Sequence, residues 1–112
     1  MAELTSSKQS FNTPLQEIIE YPESGILSKV IVKDQNCQHT LFCLGEGSDL
    51  EEHTSTRNAT ITVIEGNGQL TLEGRDITLQ PGVFVFMPAN APHALKATSN
   101  LAFLLTLSEP SQ

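Results

Sequence analysis

A chain of 112 residues, 38% apolar and 17% charged, is long enough to bury one hydrophobic core, and its composition is globular rather than disordered. Thirteen acidic residues against six basic ones give a formal charge of −7, and no basic run occurs, which argues against nucleic acid or an anionic membrane as a partner. No segment reaches membrane-spanning length, the start MAELTSSKQSFNTP has no apolar signal core, and the two cysteines form neither a CxxC nor a zinc knuckle; a cytoplasmic protein with reduced thiols is expected.

Residues 1–14 read as a flexible arm ending at Pro14, and 15–112 as a single domain. LQEIIEYPESG reads as a strand running into a turn, or as a short helix. ILSKVIVK and QHTLFCL are β-rich runs separated by DQN, the pattern of a hairpin. GEGSD precedes HTSTRNATITVIE, which reads as one long strand; GNG, with the glycines of a tight turn, leads into QLTLE, and GRD into ITL. QPG precedes VFVFMP, and NAPHALKA precedes the last apolar strand, LAFLLTL. No amphipathic helix of ordinary length is visible, so the expected class is all-β, and the even spacing of strands and turns favours a closed or double-layered barrel.

Two strands carry more than their class. From Thr54 to Thr62 the even positions are polar and mostly β-branched, while His53, Ser55, Arg57, Ala59, Ile61 and Val63 share the other face, which should point inward. His53 therefore opens an inward row of small residues that leaves room for a cavity. In VFVFMP both faces are apolar, Val83, Val85 and Met87 against Phe84 and Phe86. Such a strand needs a second layer over it, and a homodimer is expected to supply that layer.

The span Gly47–Ala97 resembles the cupins, small jelly-roll barrels built on two motifs. The first, G-x5-H-x-H-x3-E-x6-G, is met by Gly47, His53 and Gly66, with Ser55 at the second histidine and Ala59 at the glutamate. The second, G-x5-P-x-G-x2-H-x3-N, is met by Gly82, Pro88 and His93, with Asn90 at the glycine and Ala97 at the asparagine. The resemblance implies a cupin double-stranded β-helix, a jelly-roll barrel, with a pocket inside it. In cupins three histidines and a glutamate hold a divalent metal there, and only His53 and His93 remain of that set. Iron, manganese, nickel or zinc would suit them, but catalytic metals are normally held by three protein ligands, so the site reads as degenerate. His39 or Cys43 could complete the set if their face of QHTLFCL lines the barrel; otherwise the cysteines are inert buried residues and His39 an ordinary strand residue. Glu51 and Glu52 should be solvated.

The ligand-binding residues expected are His53, Ser55, Arg57, Met87 and His93, with Phe42, Phe84 and Phe86 as further wall candidates. Arg57 would either meet a carboxylate ligand from the inward row or escape to the strand edge and pair with an acidic side chain. Three functions are compatible with these residues. One is a small-molecule binding barrel; another is a metal-dependent dioxygenase or isomerase with a non-standard ligand set. The last is a metal-free, epimerase-like enzyme with a histidine general base, since an imidazole titrates near neutral pH.

Overall fold

Short β-branched and apolar runs between turn residues become nine strands and one helical turn in the computed structural model, which describes residues 8–110. In chain order these are α1 (Leu15–Ile18), β1 (Ile26–Lys33), β2 (Cys37–Leu44), β3 (Asp49–His53), β4 (Asn58–Glu65), β5 (Gly68–Leu72), β6 (Arg75–Leu79), β7 (Phe84–Met87), β8 (His93–Ala97) and β9 (Leu101–Ser108). Of the arm expected over 1–14, residues 1–7 lie outside the described part. No helix among the described residues is long and apolar enough to cross a membrane.

The strands form two antiparallel sheets, ordered β1-β2-β9-β4-β7 and β3-β8-β5-β6. Only the β1–β2 and β5–β6 hairpins stay within one sheet; every other connection crosses between the layers, as in a jelly roll. The β5–β6 turn has two residues, Glu73 and Gly74, both with positive φ, as a hairpin turn matched to strand twist requires. The sheets are not hydrogen-bonded into a continuous ring. They are held face to face by the alternation within each strand. Leu70, Leu79 and Leu95 of the smaller sheet meet Leu44, Ile61, Leu101 and Phe103 of the larger one, all nearly or fully buried. Each such side chain contributes about 2 kcal/mol through burial.

The long strand expected from His53 to Glu65 is broken. Residues 54–57 form the crossing between sheets, so His53 ends β3 in the smaller sheet while β4 begins at Asn58 in the larger. The inward alternation holds from there on, with Ala59, Ile61 and Val63 all buried.

A second apolar cluster lies on the outer face of the larger sheet. Ile31, Leu41 and Cys43 are covered there by Leu15, Ile18, Ile19 and Tyr21 of the segment preceding β1. That segment is pinned by polar contacts: Lys29 Nζ donates to the Ile18 carbonyl at 2.8 Å, and Tyr21 Oη donates to Glu65 Oε1 at 2.6 Å. Burial first, and the Glu65 carboxylate second, hold the Tyr21 phenol above its ordinary pKa of 10.0. The folded state thus keeps this proton more tightly than the unfolded chain. The resulting stabilisation is complete below pH 10.0 and is lost as pH climbs from there toward the folded-state value. Tyr21 is the only tyrosine and there is no tryptophan, so the ultraviolet band of tyrosinate reports this contact alone. In the native protein that band should rise well above pH 10.0, and near it in urea; Tyr21→Phe should reduce the alkaline destabilisation, the remainder coming from the Cys43 thiol, which burial also holds above its ordinary value. A native titration at the ordinary value would mean that the segment is not docked.

Candidate functional site

Because β3 and β8 are antiparallel neighbours, the last residue of one faces the first of the other: His53 and His93 are in direct register. Their rings meet edge to face, with centroids 4.2 Å apart and planes at 60°. His53 is exposed and His93 half-buried, so the pair stands at a mouth open to solvent. Each ring is fixed by its own strand. His53 Nδ1 lies 2.8 Å from the Glu51 carbonyl and His93 Nδ1 lies 2.9 Å from the Ala91 carbonyl. A carbonyl oxygen can only accept, so both Nδ1 atoms carry a proton and donate it. Both Nε2 atoms are left free to accept or to ligate.

Behind the pair lies a cavity of about 140 Å³ between the two sheets. Phe42 and Phe103 form one wall, their rings stacked at 5.3 Å with planes 9° apart; Leu70 and Leu95 form the other, and Ile61 and Met87 lie toward β7. Apart from the two imidazoles, every lining side chain is apolar. The structure therefore brings His53, His93 and Met87 together around one space, with Phe42 among its walls.

The other expected residues lie elsewhere. Ser55 and Arg57 belong to the crossing between sheets rather than to an inward row. The Ser55 hydroxyl accepts the Arg57 backbone N–H at 3.1 Å, and its carbonyl accepts the Asn90 N–H at 2.7 Å. The Arg57 guanidinium leaves the barrel and pairs with Glu109 at 3.1 Å. His39 is corrected more sharply. It shares the outer face of β2 with Cys37, Leu41 and Cys43, whereas Phe42 and Leu44 face inward. Its Nε2 lies 3.5 Å from Cys37 Sγ and its Nδ1 lies 3.0 Å from Thr106 Oγ1, so it cannot join His53 and His93. Phe84 and Phe86 point out from β7 and are largely exposed. The two cysteines are free thiols on one face of one strand, six positions apart. At the rise of an extended strand this separates them by roughly 20 Å, far beyond disulfide reach.

The donor set can be tested against the divalent metal of the cupin pattern. Ala59 at the glutamate position is buried and has no donor, and the Ser55 hydroxyl is engaged by backbone. Glu51 and Glu52 precede His53 across an irregularity in β3 but remain exposed. No group of three histidine, cysteine or carboxylate side chains converges among the described residues. Two imidazoles do not make a three-ligand catalytic centre, so the residues present do not fit that group.

Two departures from the motifs have a local explanation. Asn90, where the pattern has glycine, adopts φ +72°, a conformation that asparagine tolerates better than other residues with a Cβ. Ala97, where the pattern has asparagine, is fully buried, and its backbone bonds Gly47 and Ser48.

An uncharacterized protein of Aquifex aeolicus is 36% identical over 64 residues, which is 57% of this chain and 53% of the relative. The match thus spans about half the length of that curated relative. A solved structure of a conserved Streptococcus pyogenes protein of unknown function superposes with a TM-score of 0.83 at 25% identity, covering 100% of this chain and 98% of the other. A cupin 2 conserved barrel domain protein from Leptotrichia buccalis gives 0.78 at 33% identity, covering 84% of this chain and 46% of that one. A family model described as a cupin domain matches residues 40–107, more than half of the chain and both motif spans in full. With the crossed sheets and the histidine pair in register, this match makes the chain a member of the cupin family.

Proposed function

We propose that the protein binds a small molecule in the cavity behind His53 and His93, without a protein-held metal centre. The observation that carries this reading is the pair of free Nε2 atoms at the mouth of an otherwise apolar space. Such a site is concave and largely preformed, and a few polar atoms fix the orientation of what enters, as small-molecule sites generally require. A second reading, a metal-free acid–base catalyst, is favoured by the same tautomers. With the proton held at Nδ1, Nε2 offers a lone pair to a bound ligand within reach, as a general base must.

The test is the metal content of tag-free protein after incubation with iron, manganese, nickel or zinc and desalting, read by plasma mass spectrometry. The expected content is well below one ion per chain, and a His53→Ala/His93→Ala variant should not change it. Near-stoichiometric metal that disappears in the double variant would overturn the metal-free reading in favour of a dioxygenase- or isomerase-type centre.

We also propose that the protein is a homodimer, assembled through the outer face that carries Phe84 and Phe86. The free thiols Cys37 and Cys43 accord with the cytoplasm as its compartment.

A further inference from the structure

Cavity size and the distribution of polar atoms narrow the ligand class. An apolar protein cavity of about 150 Å³ stays dry and takes up benzene. The space behind the histidines, at about 140 Å³, has nearly the same capacity. The stacked pair Phe42–Phe103 lines it with aromatic carbon, and Met87 supplies a polarisable thioether that suits a ring edge.

Polarity excludes as much as size does. Below the mouth no side chain can hydrogen-bond, so a sugar would bury several hydroxyls with no partner, and a dicarboxylate would bury a charge with none. Either would be rejected by unpaired polar groups rather than by shape alone. At the mouth the demand is reversed. Two adjacent Nε2 atoms, on rings 4.2 Å apart, need a donor. A single hydroxyl donates its one proton to one of these lone pairs, and the other stays open to water at the exposed mouth.

Resting on the binding reading above, we infer that the ligand is a phenol-sized molecule, a compact apolar ring bearing one hydroxyl, with the ring in the cavity and the hydroxyl at His53 and His93. The exposed position of His53 leaves the hydroxyl end at the solvent, so the ring enters first. The same geometry discriminates against a fused second ring, which the space cannot hold.

Isothermal titration with phenol, benzene, 2-naphthol, glucose and citrate tests each part. Phenol should bind at least ten-fold more tightly than benzene, and 2-naphthol, glucose and citrate should show no measurable binding. In His53→Ala/His93→Ala, whose substituted side chains are not in the core, phenol should fall to the level of benzene while benzene is unchanged. A circular-dichroism melt establishes that the variant is folded. Equal affinity for phenol and benzene would overturn the role of the hydroxyl, and binding of 2-naphthol would overturn the size limit. Histidine-dependent binding of glucose or citrate without phenol would overturn the ligand class yet leave the binding reading intact. No heat from any of the five probes would overturn both.

Discussion

Gly66→Ala should lose more than about 4 kcal/mol of stability, enough to leave little folded protein, since a small domain has only about 5–15 kcal/mol to lose. Gly66 is the last position of the first cupin motif, and two independent demands fall on it. Its φ is +89°, in the left-handed region that a Cβ disfavours. A Cβ placed there would also overlap the Asn100 carbonyl oxygen and stand 2.8 Å from Leu101 Cα. These are backbone atoms that cannot swing aside. The Asn67 carbonyl accepts N–H groups from both Thr98 and Ser99, and Ser99 Oγ accepts the Asn67 N–H at 2.9 Å. Asn100 Oδ1 accepts the Glu46 N–H on the other side. The β4–β5 and β8–β9 turns are therefore fastened to each other, and the glycine is the gap between them. Gly47, at the first motif position, separates the two demands. Its φ is +86°, but nothing lies within 4 Å of a Cβ built there, so Gly47→Ala should cost only the left-handed penalty of about 1–2 kcal/mol. Urea denaturation of both variants reads the difference. Equal costs would mean that the turn yields and that the steric account is wrong.

What could be read ahead of the structure depended on whether a residue's pattern was local. The strand series was legible because alternation and turn residues are local, as was the hairpin of β1 and β2. The histidine pair was legible as two frame positions, since a motif on β3 and one on β8 imply neighbouring strands. The break at 54–57 was not. Thr54, Ser55, Thr56 and Arg57 contain no glycine or proline, and the β-branched Thr54 and Thr56 read as strand. What stops the strand is a bond to Asn90 across the barrel, invisible from within the segment. The facing of β2 failed for a different reason. Periodicity states that His39, Cys37, Leu41 and Cys43 share a face but not which face it is. Both faces of β2 are apolar because Leu15, Ile18 and Ile19 cover the outer one. That covering segment was visible as an apolar run, but its docking place was not. For Arg57 the escape to an acidic partner was one of two outcomes open in the sequence, and Glu109, far along the chain, decides it.

The outer face of the larger sheet leads to the second large effect. Phe84→Ser/Phe86→Ser should convert the proposed dimer into a monomer. On β7, Val85 and Met87 point into the core, whereas Phe84 and Phe86 are 63% and 53% exposed. Their neighbours follow from register. One row runs from Phe86 through Thr60 to Thr106 and His39; the next runs from Phe84 through Thr62 to Leu104 and Leu41. Neither row carries a carboxylate or ammonium before Lys29 on β1, where the N-terminal segment already covers the sheet. The nearest charges on the other side are the Arg57–Glu109 pair at its rim. A neutral centre with a charged rim is the layout of a protein interface. In a chain of net charge −7 it is also the kind of surface on which two copies can meet without repulsion. A twofold contact needs self-complementarity, which two phenylalanines and a row of threonines provide. A phenylalanine ring buries roughly 150–250 Å² in full, so the exposed portions of the two account for about a quarter of the roughly 800 Å² per partner that a stable dimer uses. The threonine rows and the edge of β7 would supply the rest. Two aromatic anchors on each protomer, four across the twofold contact, at about 2 kcal/mol each imply a rise in dimer dissociation constant of about 10⁶-fold for the double variant. Light scattering behind size exclusion should give twice the chain mass for the wild type at micromolar concentration and the single-chain mass for the variant. The thermal stability of the variant in the monomer regime should be nearly unchanged, because neither ring belongs to the core. A wild type that runs as a monomer would refute the dimer. A variant that remains dimeric would place the interface on another face and leave Phe84 and Phe86 to a different partner.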